Sequence, residues 1–175
     1  MTRSSGTLAR RILLDLASRP RDAAEALRGQ LDPAVLNAHP AGHPNSLAWL
    51  LWHTGREIDV QLAHLSGQPE VWTAQGFGEK LGLGEAGRAV GYGHSEGEAR
   101  AIVVEDGDVL VDYVLATADA LHGYLGTLAD ADLDEAIGEY DGAPITRAVR
   151  LVSIIDDAAQ HLGQAAYVLG TTDRG

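Results

Sequence analysis

Two histidines and one aspartate stand where a metal site can form. Asp157 and His161 are four residues apart in TRAVRLVSIIDDAAQHLGQAAYVLG, a segment with the apolar periodicity of a helix. Side chains at this spacing lie one turn apart on one helix face, so a carboxylate and an imidazole can bind the same divalent ion. His53 stands among large apolar residues in LAWLLWHTGREIDV, and a buried histidine needs polar partners. The three residues therefore predict a metal site between two facing helices.

The ligand set narrows the chemistry but leaves the metal open. Two histidines and a carboxylate form a common catalytic zinc set with positions free for water or substrate, and the same set binds nickel or iron. Gln164 shares the face of His161 and can orient a ligand or a substrate. Glu57, one turn after His53, is either a fourth ligand or an exposed carboxylate. The alternative for the whole group is a hydrogen-bonded cluster that fixes helix register.

Four long helices must position these residues. Apolar periodicity and capping residues indicate helices over about 7–30, 46–67, 108–128 and 146–169. Pro20 is expected to kink or interrupt the first helix, and Gly170 to stop the fourth. The acidic segment 129–144 is expected to be a loop, with one extended piece as the alternative. The pattern predicts an all-α four-helix bundle.

A long connection joins the second and third helices. Residues from about Gln68 to Glu105 are rich in glycine, and we expect an irregular crossover with short helical pieces. Connections of this length are often functional, so this one is expected to cover the open metal positions. Tyr92 and His94, in the sequence GYGH, are candidates to line that pocket. The alternative for each is an exposed side chain in a tight turn.

Composition excludes several classes of function. The chain has 175 residues, which fits one domain over residues 1–175, and a net charge of -12, which disfavours nucleic-acid binding. It has no cysteine, so disulfides, thiolate metal sites and cysteine nucleophiles are excluded, and a cytoplasmic location is compatible. No run of about 18 apolar residues exists to span a membrane.

Three stretches resemble parts of two helices in the DinB-like family of helical bundles. NSLAWLLWH and EIDVQLAHLSGQPEVW are similar to its second helix, and RLVSIIDDAAQHLGQAAYVLG to its last, including the ending from His161 to Gln164. The resemblance implies a four-helix bundle with a divalent metal held by three residues of these two helices, commonly histidines. Asp157 stands where the first histidine of an HxxxH pair falls. The similar mycothiol-dependent maleylpyruvate isomerases have a carboxylate there, one methylene longer, so Asp157 is a direct or a water-bridged ligand.

The same resemblance implies an activity. Relatives are S-transferases and isomerases that use a low-molecular-weight thiol, mycothiol or bacillithiol, which a metal converts to a thiolate. It also implies a homodimer, to which an apolar third helix left partly uncovered would contribute. We therefore expect a metal-dependent enzyme acting on a small molecule, with no nucleic-acid or membrane partner. The alternative is a non-catalytic, stress-related binding or assembly bundle.

Overall fold

The structure is a computed structural model that describes residues 7–172, with the side chain of Thr172 excepted. Short helices lie between the long ones along the chain, and one two-stranded sheet precedes the last helix. The α-helices are α1 Leu8–Glu25, α2 Pro33–Leu36, α3 Leu47–Ser66, α4 Val71–Ala74, α5 Phe77–Leu81, α6 Glu96–Arg100, α7 Gly107–Thr127, α8 Asp130–Leu133 and α9 Arg147–Thr172. The strands are β1 Ala136–Tyr140 and β2 Ala143–Thr146, and 3-10 turns lie at Pro40–Gly42 and Ala86–Arg88.

The four long helices α1, α3, α7 and α9 form a bundle. Helix α3 packs against α7 and α9, and α1 packs against the same two helices. The order around the bundle is therefore α1, α7, α3, α9, which confirms the expected all-α four-helix architecture. None of the helices in the described part of the chain combines the length and the apolar character needed to cross a bilayer.

Helix α1 does not break at proline. It begins at the cap residue Thr7, whose side chain accepts a hydrogen bond from the Arg10 amide, and it continues through Pro20 to Glu25. The expected interruption is wrong, because Pro20 is buried between the buried residues Ala17 and Ala24, and this packing offsets the lost backbone hydrogen bond. Asp32 then caps α2 by accepting from the amides of Ala34 and Val35.

Helix α3 is the most deeply buried element. Ser46 caps it by accepting a hydrogen bond from the Trp49 amide, and Gly67 ends it in the left-handed conformation, as the sequence predicts. All residues from Leu47 to Asp59 are buried, polar ones included. Two helices and the following connection cover this part of α3 on several sides, which places His53 inside the protein.

The crossover, residues 68–106, is irregular with short helices, as expected. It is anchored to α3 by Asp59, which accepts hydrogen bonds from the amides of Val71 and Trp72 at 2.7 Å each and from the Tyr113 hydroxyl at 2.8 Å. Trp72 and Phe77 pack against the Tyr113 ring in the core. A carboxylate that binds the first amides of α4 thus joins the crossover to both α3 and α7.

The apolar stripe of α7 is largely covered, although its residue Leu115 stays half-buried. Its large residues Leu110, Val111, Val114, Leu121 and Leu125 are buried. Helices α1 and α3 both pack on α7, which accounts for this burial. An exposed apolar surface of this protein must therefore lie elsewhere.

Segment 129–144 is more ordered than a loop. It holds α8 and strand β1, which pairs antiparallel with β2. Asp141 and Gly142 join the strands with φ angles of 52° and 77°, the geometry that an Asp-Gly hairpin turn favours. The expected stop at Gly170 is also wrong, because α9 runs on to Thr172. Gly170 has no positive φ, and a helical glycine costs only about 1 kcal/mol relative to alanine.

Candidate metal centre

His53, Asp157 and His161 come together between α3 and α9. One ligand atom of each lies within 4.8 Å of the others. Asp157 Oδ2 lies 3.9 Å from His53 Nε2, and Asp157 Oδ1 lies 3.6 Å from His161 Nε2. Ligand atoms on a tetrahedral zinc ion with bonds of about 2 Å lie roughly 3.3 Å apart. Small side-chain movements would therefore let the three residues hold one divalent ion.

The His53 ring is oriented by the crossover. Its Nδ1 lies 2.6 Å from the carbonyl oxygen of Val90, and because a carbonyl only accepts, Nδ1 carries the proton. The lone pair is then on Nε2, the atom that faces Asp157. The ring also stacks on Trp49 with centroids 4.6 Å apart. A backbone carbonyl on Nδ1 is a common support for a metal-binding histidine.

The His161 ring is oriented by its own helix. Its Nδ1 lies 3.0 Å from Gln164 Oε1, and an amide oxygen accepts, so this contact also leaves the lone pair on Nε2. The ring meets Trp49 edge-on, with centroids 6.1 Å apart. Gln164 is thus in contact with His161, at the place where the sequence predicts an orienting group.

Electrostatics favour binding of a cation. Burial lowers the pKa of His53, assisted by the nearby imidazole of His161, so the ring is neutral at neutral pH, as a ligand must be. Asp157 Oδ2 is buried and has no hydrogen-bond partner among the described residues. A buried carboxylate oxygen without a partner is costly, and a divalent ion beside it would remove that cost. The residues therefore fit a divalent metal.

Glu57 is not the exposed carboxylate that the sequence left as one alternative. It is 7% exposed, its Oε1 accepts a hydrogen bond from Gln61, and its Oε2 has no partner among the described residues. Burial, followed by the negative charge of Asp157, raises its pKa to about 9. Glu57 lies outside the group of mutually close ligand atoms, so its role as a fourth ligand stays a prediction.

The two candidates from the crossover differ. Tyr92 is 95% exposed and does not line the site in this structure. His94 is half-buried, stacks on Trp52 with centroids 5.5 Å apart, and its Nδ1 accepts a hydrogen bond from Trp49 Nε1 at 3.3 Å. The two tryptophans that link His94 to His53 were not predicted from the sequence to have a role. Trp49 precedes His53 by one helical turn, so its contact with His53 could have been predicted from the spacing.

Arg56 of α3 also supports the site, in a role that was not predicted from the sequence. It is 3% exposed, and its Nε and Nη2 donate to the carbonyls of Ala89 and Arg88, each at 3.1 Å. Together with His53 it binds three consecutive carbonyls, from Arg88 to Val90. Glu70 balances its charge at 2.8 Å. Two side chains of α3 therefore clamp the segment that orients His53.

Comparison with known proteins agrees with this architecture. The family model of the DinB superfamily matches residues 17–165. A solved structure, described as the conserved protein of locus from Enterococcus faecalis, is 33% identical, with a TM-score of 0.82, over 91% of this chain and 94% of that one. No curated protein matches the chain. The chain belongs to the DinB superfamily.

Proposed function

We propose that this protein is a divalent-metal-dependent enzyme in which His53, Asp157 and His161 hold the ion. One observation carries the proposal. Both imidazoles have Nδ1 engaged and Nε2 facing Asp157, whose Oδ2 is buried without a partner among the described residues. In a purely structural cluster, buried acceptors such as the two Nε2 atoms and Asp157 Oδ2 are expected to be paired with donors and not to face one another.

The proposed centre is reached from the α9 side. The side chain of His53 is 8% exposed, whereas those of His161 and Asp157 are 17% and 38% exposed. Three protein ligands leave at least one position of a divalent ion open. A small-molecule substrate would enter past Asp157 and His161, with Trp49 and His94 forming the aromatic floor behind them.

The proposed reaction is transfer of a low-molecular-weight thiol, mycothiol or bacillithiol, or an isomerisation that uses one. When bound, zinc, nickel or iron supplies the Lewis acidity that lowers the pKa of a thiol toward neutrality. In a transfer, sulfur forms a bond to an electrophilic carbon, the leaving group departs with its bonding electron pair, and the thiol proton goes to solvent. The chain has no cysteine to compete. We place the reaction in the cytoplasm, where such thiols stay reduced.

A non-catalytic bundle is the second candidate, and one observation favours it. Arg150 Nη1 donates to Gln61 Oε1 at 3.0 Å, and Gln61 donates to Glu57, so a hydrogen-bonded chain links α9 to α3 beside the triad. Such a chain can fix the register of two helices without chemistry. This candidate predicts a protein that purifies without stoichiometric metal.

The test begins with protein purified without a histidine tag. Elemental analysis should find one zinc, nickel or iron per chain, and His53→Ala should lose it. The loaded protein is then incubated with mycothiol or bacillithiol and a halobimane. Thiol consumption above the chelated control supports the transferase. Rates equal to that control for both thiols, or unchanged in His53→Ala, reject it.

We further propose a homodimer of one-domain subunits spanning residues 1–175. The support is a set of exposed apolar residues on two of the long helices: Leu8, Ile12 and Leu16 on α1, and Val149 and Val152 on α9. Exposed apolar patches are often interfaces. Light scattering should give twice the chain mass of 18.5 kDa across micromolar concentrations, and a monomer mass would contradict the proposal.

A further inference from the structure

A second cavity lies two helical turns away from the candidate metal centre. It has a volume of about 310 Å³, opens to solvent, and is lined by the last turns of α3, the β1–β2 hairpin and the first turn of α9. Its apolar walls are the half-buried residues Val60, Leu65, Ile137 and Ile145. Its polar lining comes from Gln61, His64 and Arg150.

Arg150 is the unusual residue of this cavity. It is half-buried, and its Nη1 donates to Gln61 Oε1, while no carboxylate of the described residues lies within ion-pair distance of it. Arg147, three residues earlier on the same helix, is by contrast paired with Glu135. None of the described residues lining the cavity is acidic. The nearby carboxyl of Glu57 is bound by Gln61 and does not line the cavity, so Arg150 presents its positive charge to the cavity.

The geometry points to a small aliphatic carboxylate as the ligand: we propose that its carboxylate binds Arg150 and its apolar part fills the space between α3 and the hairpin. A guanidinium has five N–H donors in a planar fork that fits a carboxylate, and one of them is used by Gln61. The apolar walls favour an alkyl group over a fully hydrated anion such as phosphate. The volume is at the lower end for ligand pockets, which limits the ligand to a small one.

This site is distinct from the candidate metal centre and goes beyond the proposed function. Gln61 follows His53 by two turns of α3, about 12 Å along the helix axis at 1.5 Å per residue. Neither His53 nor His161 lines the cavity. Binding there requires no ion, so the proposal can succeed or fail independently of the metal-dependent activity.

The test is an NMR titration of the full chain with isovalerate, in parallel with its neutral isostere isovaleramide, with and without zinc. Isovalerate should shift amide signals of β1, β2 and the residues around Gln61, equally in both metal states. The amide should bind about tenfold more weakly, since only the carboxylate can pair its charge with the guanidinium and accept two parallel N–H bonds from it.

Variants make the test specific. Arg150→Met should weaken isovalerate binding about tenfold or more, whereas Arg11→Met, the same change at an exposed arginine of α1, should not. Ile137→Glu, which places a carboxylate in the lining of the same cavity, should abolish binding even if Arg150→Met fails to fold. Equal affinities for acid and amide, an unchanged affinity in Arg150→Met or Ile137→Glu, or shifts that require zinc would overturn the proposal.

Discussion

The two histidines of the candidate centre are supported in opposite ways. His53 is buried, and a main-chain carbonyl from the clamped crossover holds its Nδ1. His161 is more exposed, and an exposed side chain one turn along the same helix holds its Nδ1. The α3 half of the site is thus built by tertiary structure, and the α9 half by local helical spacing.

Because the two halves are supported differently, their residues should contribute differently to the stability of the protein and to metal binding. A residue on the α3 half contributes to packing as well as to the site, so its replacement affects both. A residue on the α9 half contributes mainly to the site. Replacements of the ligand histidine in either half should therefore reduce metal binding alike but differ in their effect on the stability of the metal-free protein.

Replacement of either histidine should have the largest effect. His53→Ala and His161→Ala should each abolish stoichiometric zinc binding, because two ligands hold a divalent ion poorly. In the metal-free protein, His53→Ala should also cost about 1–3 kcal/mol, since it empties a packed position, whereas His161→Ala should cost under about 0.5 kcal/mol. Titration calorimetry measures zinc binding, and chemical unfolding measures the stability of the metal-free protein. Equal losses of stability in the two variants would contradict the difference between the α3 and α9 halves.

Gly91→Ala tests the crossover as a support of His53. A Cβ there would lie 2.7 Å from His53 Nδ1, and the φ of 102° is strained for alanine. We expect a loss of about 1–3 kcal/mol in stability and a roughly 10–100-fold weaker zinc affinity, by analogy with other supporting groups. Gly93→Ala is the control: its φ is also positive, at 73°, but nothing lies within 4 Å. Equal zinc affinities in the two variants would refute the supporting role.

Glu57→Gln tests the buried carboxyl of α3 by its pH dependence. Because the folded pKa of about 9 exceeds the ordinary 4.5, Glu57 favours the fold below pH 4.5 and loses that contribution as the pH rises toward 9. Metal-free Glu57→Gln should therefore exceed the wild type in stability at about pH 8 by more than about 1 kcal/mol, and converge with it at about pH 4. Asp156→Asn, an exposed change on α9, should show no such trend.

Gln164→Ala should have the smallest effect. The exposed amide orients His161 through one hydrogen bond, and loss of such a support weakens metal binding about tenfold at most in an exposed setting. Stability without metal should not change. Gln160→Ala, which removes an exposed glutamine bonded to Asp156, is the matched control and should leave zinc affinity unaltered. If Gln164→Ala weakened zinc binding more than Gly91→Ala does, local spacing on α9 would support its histidine more strongly than the crossover supports His53, which contradicts our expectation.

The same asymmetry explains what the sequence can predict. The spacing of Asp157, His161 and Gln164 is a local property of one helix, and it predicts their common face. The apolar surroundings of His53 predict its burial. The ends of α3 are also predictable, because Ser46 and Gly67 act through their immediate neighbours.

Contacts between distant segments are not predictable in this way. The carbonyls bound by Arg56 and the burial of Glu57 depend on the path of the crossover and on how α9 crosses α3. Pro20 and Gly170 mislead the helix predictions because tertiary packing, or simple continuation of the helix, outweighs their local preference. The β1–β2 hairpin has a local signal, Asp141-Gly142, which the acidic composition of the segment conceals.

The clamp on the crossover has a consequence for the order of folding. The hydrogen bond from His53 to Val90 closes a loop of 37 residues, and those from Arg56 close loops of 33 and 32. Closing loops of this length costs chain entropy, so such bonds form only when many contacts form with them. During synthesis α9 emerges after α1, α3 and α7, and the nascent chain cannot bring Asp157 and His161 to His53 before then. Ion binding would therefore report completion of the whole bundle, not of any part of it.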